Sequence, residues 1–273
     1  MVITVVKIRA FSLISLVILI CFWLAFLLPS GGPNETVKTI LTVTGILFGV
    51  IIGFFIAYLW NRLEKMREFV NIEVSNLQTY YLLAENLARY SKNQKWVQKQ
   101  KKLIEQYIIQ FTMVEWTDYD KIDPYFNRII KSLKEIPPLK TKTEEHLYHN
   151  LVRLLTEIST ARENLFNFGK VRLTKQHWMV MVFLAIVLEF SIFFLKTPEF
   201  FSILCTAVLA SIVIILLLIL WDLNDLRLGE EIISFEPYQR VLDVIGKPRF
   251  YLKKDIKSGR VKLPKDKEYR IGE

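Results

Sequence analysis

The chain has 273 residues, 52% hydrophobic and 23% charged, with a net charge of +9. Apolar content this high, gathered into long runs, excludes an ordinary soluble domain built around one core. Two cysteines without metal or redox spacing exclude a disulfide framework and a zinc finger.

The first apolar run, Ala10 to Leu28, follows Lys7 and Arg9. It is too long for the apolar part of a cleaved signal peptide, and a second run follows at once, so a retained helix is expected. Residues 29 to 38 read as a Pro- and Gly-rich hairpin. The second run, Thr39 to Trp60, is uncharged and carries Gly45, Gly49, Gly53 and Ala57 four residues apart. That spacing puts the small residues on one side of a helix, where backbones can approach closely in lipid. The opposite side presents Leu47, Ile51 and Phe55, with Phe54 alongside. Rings of such residues around an axis make a hydrophobic constriction that gates by dewetting. Phe48 and Ile52 are the alternative set if the helix is rotated.

No Pro or Gly stops this helix at Asn61. Apolar residues recur at Leu63, Met66, Val70, Leu77, Tyr81, Ala84 and Ala88, which predicts one helix continuing to about Tyr90. Ser91 to Asn93 break it. A second polar-region helix is expected over Gln94 to Trp116, a loop over Thr117 to Asp123, and a short helix from Pro124 to Lys134. Pro137 and Pro138 interrupt the chain. Thr143, Glu144 and Glu145 read as the start of a helix to Phe168, with Gly169 as its stop.

The third run, Trp178 to Leu195, contains one acid, Glu189, and the fourth spans Phe200 to Trp221. The tail predicts a helix near Tyr238 to Val244, then a Ser258-Gly259 turn within a hairpin or an extended stretch. The expected fold is therefore all-α: a polytopic membrane protein with four transmembrane helices and a helical bundle. Its regions are a first transmembrane pair (1–61), a cytoplasmic helical domain (62–175), a second pair (176–221) and a cytoplasmic C-terminal segment (222–273).

The distribution of charge sets the orientation. The segment between spans two and three carries 20 Lys/Arg against 14 Asp/Glu, and the tail 12 against 10, whereas the hairpins hold only Glu35, Lys38, Lys196 and Glu199. The positive-inside rule assigns both termini and the central domain to the cytoplasm. The basic excess thus needs no nucleic-acid partner. Arg62, Lys65, Arg67, Lys170, Arg172 and Lys175 flank the spans, where anionic lipid is available.

Among chemistry-bearing residues, Glu189 is the sharpest, because an acid within a span is costly when charged. A hydroxyl from Thr206 or Thr44 lies at similar depth to hydrogen-bond it. The residues leave open a packed protonated acid, an ion-pathway residue and a proton-coupled one. Glu73 interrupts the apolar stripe of the long helix, and a buried acid needs a donor, for which Arg162 is the expected ion-pair partner. Asp118, Asp120 and Asp123 crowd one loop but lack the glycine and terminal Glu of an EF-hand. His146 and His149 share a helix face without a third ligand. No metal, cofactor or catalytic role is expected, since phosphate loops, nucleophile elbows and zinc spacings are missing.

Several local patterns resemble the bestrophin-like family of membrane proteins. They are VNIEVSNLQTYYLLAENL after span two, Tyr107 followed by Glu115-Trp116, Arg162 with Leu165 before span three, and Asp222, Gly229 and Pro237 in WDLNDLRLGEEIISFEP. The resemblance implies a pentameric anion channel with the pore lined by the second span; the expected location is the plasma (inner) membrane of a bacterium. Leu47, Ile51 and Phe55 are then the neck. The calcium clasp of animal bestrophins is not reproduced by the dispersed Asp222, Asp225, Glu230 and Glu231. The expected partners are the lipid bilayer, copies of the same chain and small inorganic anions such as chloride. A membrane-anchored scaffold and a proton-coupled carrier using Glu189 are the alternatives.

Overall fold

The computed structural model describes residues 2–114, 121–226, 235–257, 261, 263–264 and 266–272, with side chains described from Ile14 onward. The chain forms two compact units. One comprises Met1–Leu63 with Arg172–Ile232, the other Glu64–Val171 with Ile233–Glu273. A single helix, α2 (Glu35–Tyr90), belongs to both. Its length is possible because no proline lies between Glu35 and Tyr90.

The first unit holds α1 (Val2–Leu27), the first half of α2, α6 (Lys175–Phe194) and α7 (Phe200–Asn224). Among the described residues three helices, α2, α6 and α7, are long and apolar enough to cross a membrane, and Ile14–Leu27 of α1 forms a shorter apolar helix. Helix α1 packs on α7 through small residues, with Cys21 and Ala25 against Ala207 and Ala210. Asn34 starts α2 by accepting from the Val37 amide at 3.2 Å. The connections at this end are tied together. Gly31 N donates to Phe194 O at 3.0 Å, and Lys196 donates to Ala25 O at the end of α1. Gly31 lies so close to the Phe194 ring that a Cβ there would sit 2.3 Å from it.

At the other end, Arg62 and Arg172 both donate to the carbonyl of Asn224, while Asn224 Oδ1 accepts from the Leu173 amide at 2.8 Å. These arginines cap the last turn of α7, where carbonyls lack intrahelical donors and the helix dipole favours cations. Arg62 is buried and does not reach out to lipid as its flanking position suggests.

The second unit holds the rest of α2 with α3 (Gln94–Met113), α4 (Asp123–Ser132), α5 (Lys142–Lys170) and α8 (Glu236–Val244). Buried positions on α2 recur at Met66, Val70, Glu73, Leu77, Tyr80, Ala84 and Leu87. Alternating steps of four and three keep one face inward, as in a coiled-coil seam. Helix α3 ends at Met113, three residues before the expected Trp116, and a 3₁₀ turn over Leu133–Glu135 follows α4. The α5 cap is Thr141, not Thr143. Its hydroxyl accepts from Glu144 N at 3.2 Å, and the Glu144 carboxylate accepts from Thr141 N at 3.1 Å.

The tail differs from a hairpin. Strands β1 (Arg249–Leu252) and β2 (Tyr269–Gly272) pair in parallel, with α9 (Lys253–Lys257) in the connection. A parallel pair requires a crossover of this length, which a two-residue turn cannot supply. The expected Ser258-Gly259 turn lies outside the described residues. The pair is clamped by charge: Asp243 accepts from Arg249 at 2.8 Å and from Lys267, and Glu105 accepts from Lys247 at 2.8 Å and Arg270 at 2.7 Å.

Candidate functional site

In the span-bearing unit, α2 has two unlike sides. Thr44, Phe48, Ile52 and Leu59 face the chain's own helices, with Phe48 and Ile52 each 3% exposed. The rotation that would turn Phe48 and Ile52 toward an axis is therefore taken up by packing within the protomer. Ile46, Leu47, Val50 and Phe54 are uncovered, Leu47 at 48% and Phe54 at 71%. Ile51 and Phe55 lie between these sides and are half-buried, Phe55 with its ring 5.0 Å from the His177 ring. The small-residue ladder is largely unused by the protomer. A Cβ on Gly45 would meet Leu188 at 3.7 Å, but at Gly49 and Gly53 it would meet nothing within 4 Å, and Ala57 is exposed.

Glu189 lies on α6 with Oε1 buried and without a hydrogen-bond partner. The expected hydroxyls of Thr206 and Thr44 are buried on α7 and α2, yet neither satisfies this oxygen. A charged acid at such a position costs roughly 2.5–3.5 kcal/mol on insertion scales.

In the polar unit, a charge cluster is sealed inside the bundle. Glu73 on α2 is 0% exposed. Tyr107 of α3 donates to its Oε1, and Tyr238 of α8 donates to its Oε2 at 2.8 Å. Burial, with the Glu73 carboxylate beside it, pushes the Tyr238 phenol well above its ordinary value, so it stays protonated and donates. Arg162 of α5, 4% exposed, donates through Nη1 to the Tyr107 hydroxyl and through Nη2 to Asp123 Oδ1 at 2.6 Å. Its Nη1 is 4.0 Å from Glu73, so the tyrosine hydroxyl stands between the two charges. The guanidinium also lies over the rings of Phe126, at 4.6 Å, and Tyr107, at 5.0 Å. Beside it, a cavity of about 250 Å³ opens between α4 and α5, lined by Asp123, Phe126, Asn127, Ser159 and Phe166.

Every oxygen of Glu73 thus has a donor, the condition under which a buried carboxylate is tolerated. Chemically the arrangement holds α2, α3, α5 and α8 in one register. Sequence reasoning named Glu73 and Arg162 but not Tyr107 as the bridge, nor Tyr238, whose separation of 165 residues leaves no periodic signal. Asp123 binds Arg162, while Asp118, Asp120, Glu115, Trp116, Gly229, Glu230 and Glu231 lie outside the described residues. Asp225 accepts from the Trp221 indole at 2.6 Å.

A chain with membrane-length apolar helices, one of which runs on into a bundle closed over buried charge, defines a class of membrane protein. A family model for the Bestrophin-like domain matches residues 12–231, and the chain belongs to that family. No curated protein and no solved structure matches it. Of the residues that carry the resemblance, three, Glu73, Tyr107 and Arg162, are far apart in sequence and meet in the buried cluster. Tyr238 joins them from beyond the matched segment.

Proposed function

We propose that the chain is the protomer of an oligomeric channel, a homopentamer, that passes anions such as chloride down their gradient. Four helices cross the plasma (inner) membrane of a bacterium, with α1 as the fourth span. Both termini and the polar unit are cytoplasmic, following the positive-inside distribution of charge. The chain performs no chemistry on the ion, and no cofactor enters. Helix α2 lines the path, with Leu47, Ile51 and Phe55 forming a constriction that closes by dewetting. The basic excess of the polar unit raises the local concentration of anions.

One observation carries this reading. The protomer covers one side of α2 and leaves the other, with Gly49 and Gly53, open. Small residues in a lipid-facing helix favour close helix contact, and a second copy of the chain supplies it. Family membership supports the anion-channel class. Purified protein in planar bilayers tests the proposal. Unitary anion currents are expected, altered by Ile51→Ala and Phe55→Ala. Well-folded protein that leaves bilayers silent would overturn it.

A further inference from the structure

Within the four apolar runs, Glu189 is the sole acidic or basic residue. Its Oε1 is buried and unpartnered. An ionised carboxylate has acceptor capacity at both oxygens and needs donors or a counter-charge when removed from water. Among the described residues the surrounding elements supply neither to Oε1. Helix α1 brings the buried thiol of Cys21, packed with Ala25, Ala207 and Ala210, and has no charged residue between Ala10 and Leu27. Helix α7 has no charged residue between Phe200 and Trp221, and α2 has none between Thr39 and Trp60. Helix α2 approaches at Gly45, against Leu188, the neighbour of Glu189. The nearest cation along the chain, Lys196, spends its ammonium on the Ala25 carbonyl, and His177 lies twelve residues back on α6 beside Phe55.

A ligand that cancels the charge is required, and the chemistry of the surroundings selects the smallest. We propose that Glu189 is a reversible proton-binding site of the span-bearing unit, its carboxyl occupied by a proton taken from water at neutral pH. The equilibrium is one carboxylate plus one proton giving one carboxylic acid, with no other reactant. Loss of the proton places a charge one residue from the contact between α6 and α2. This assignment does not depend on whether the chain conducts ions.

The test uses the full-length protein in nanodiscs of neutral phosphatidylcholine. Dicyclohexylcarbodiimide, an apolar reagent, attacks protonated carboxyls and spares ionised ones. At pH 7 one adduct per chain is expected, mapped by mass spectrometry to the peptide holding Glu189 and absent in Glu189→Gln. Infrared spectroscopy reads the same group without reagent access. The wild type should show the carbonyl band of a protonated acid, and the band should be missing from Glu189→Gln. Either signal, abolished by the substitution, supports the assignment. Absence of both from folded wild-type protein, or persistence of both in Glu189→Gln, overturns it.

Discussion

The two units solve opposite problems on one helix. In the polar unit, α2 buries a glutamate and surrounds it with two phenols and a guanidinium drawn from α3, α5 and α8. In the span-bearing unit, the same helix buries only one side and leaves apolar and glycine surface uncovered. Water explains the first case, because a stripe must turn inward and any polar residue on it must be matched. Lipid explains the second, because an apolar face costs nothing there and burial no longer reveals purpose. The polar unit thus matches its buried charge within one chain, whereas the span-bearing unit leaves apolar and glycine surface uncovered, the surface that the proposed oligomer would use.

The largest effect expected of a single substitution falls on the cluster. Arg162→Ala leaves Glu73 and Asp123 without their cation and should cost about 3–5 kcal/mol, as for other broken buried pairs. Thermal unfolding followed by circular dichroism would register it, and an unchanged midpoint would mean that the cluster does not hold the unit together. Tyr238→Phe removes one hydrogen bond to a charged acceptor and should cost about 1.5–3 kcal/mol. It also asks whether the tail beyond residue 231 is integral to the bundle. Faster limited proteolysis of the tail is the expected companion result.

Gly31→Ala carries the comparison to the span-bearing unit. The new methyl would collide with the Phe194 ring, which is half-buried and must turn aside, at a cost of about 0.5–1.5 kcal/mol. By contrast, Gly49→Ala and Gly53→Ala meet open space. They should leave the isolated protomer's stability within about 1 kcal/mol and, if the proposed oligomer forms through this side of α2, weaken it instead, seen as a loss of copies in native mass spectrometry.

Acid should act mildly on the tail clamp. The hydrogen bond from Arg249 holds Asp243 below the usual carboxylate range. Burial alone would raise Glu105, but hydrogen bonds from Lys247 and Arg270 outweigh it and leave that carboxyl low as well. Depressed folded values mean that the stabilisation is complete above about pH 4 and fades as pH drops through those values. A small decrease in melting temperature confined to that acidic range is expected, and Asp243→Asn should flatten it.

The same contrast decides what could be read from the sequence. The continuity of α2, its inward positions from Met66 to Leu87 and the capped starts of α3 and α5 follow from periodicity and polar punctuation, with the α5 cap displaced by two residues. The rotation of α2 in the apolar unit did not follow. Leu47, Ile51 and Phe55 are as apolar as Phe48 and Ile52, and only packing within the folded protomer selects which set turns inward. Glu73 was visible as an acid on an apolar stripe. Its donors were not, since Tyr107 and Tyr238 look like ordinary core aromatics until the fold brings their hydroxyls to one carboxylate. The parallel strands were hidden because each is only four residues long and its partner lies beyond a helix.

Whether the open side of α2 meets another copy can be asked by disulfide trapping in native membranes. With Cys21→Ala and Cys205→Ala as background, Gly53→Cys should give covalently linked dimers within the assembly on mild oxidation, while Phe48→Cys, turned into the protomer, should not. Equal failure of both, in protein that is folded and oligomeric, would place the glycine side of α2 against lipid and remove the basis for an axial pore.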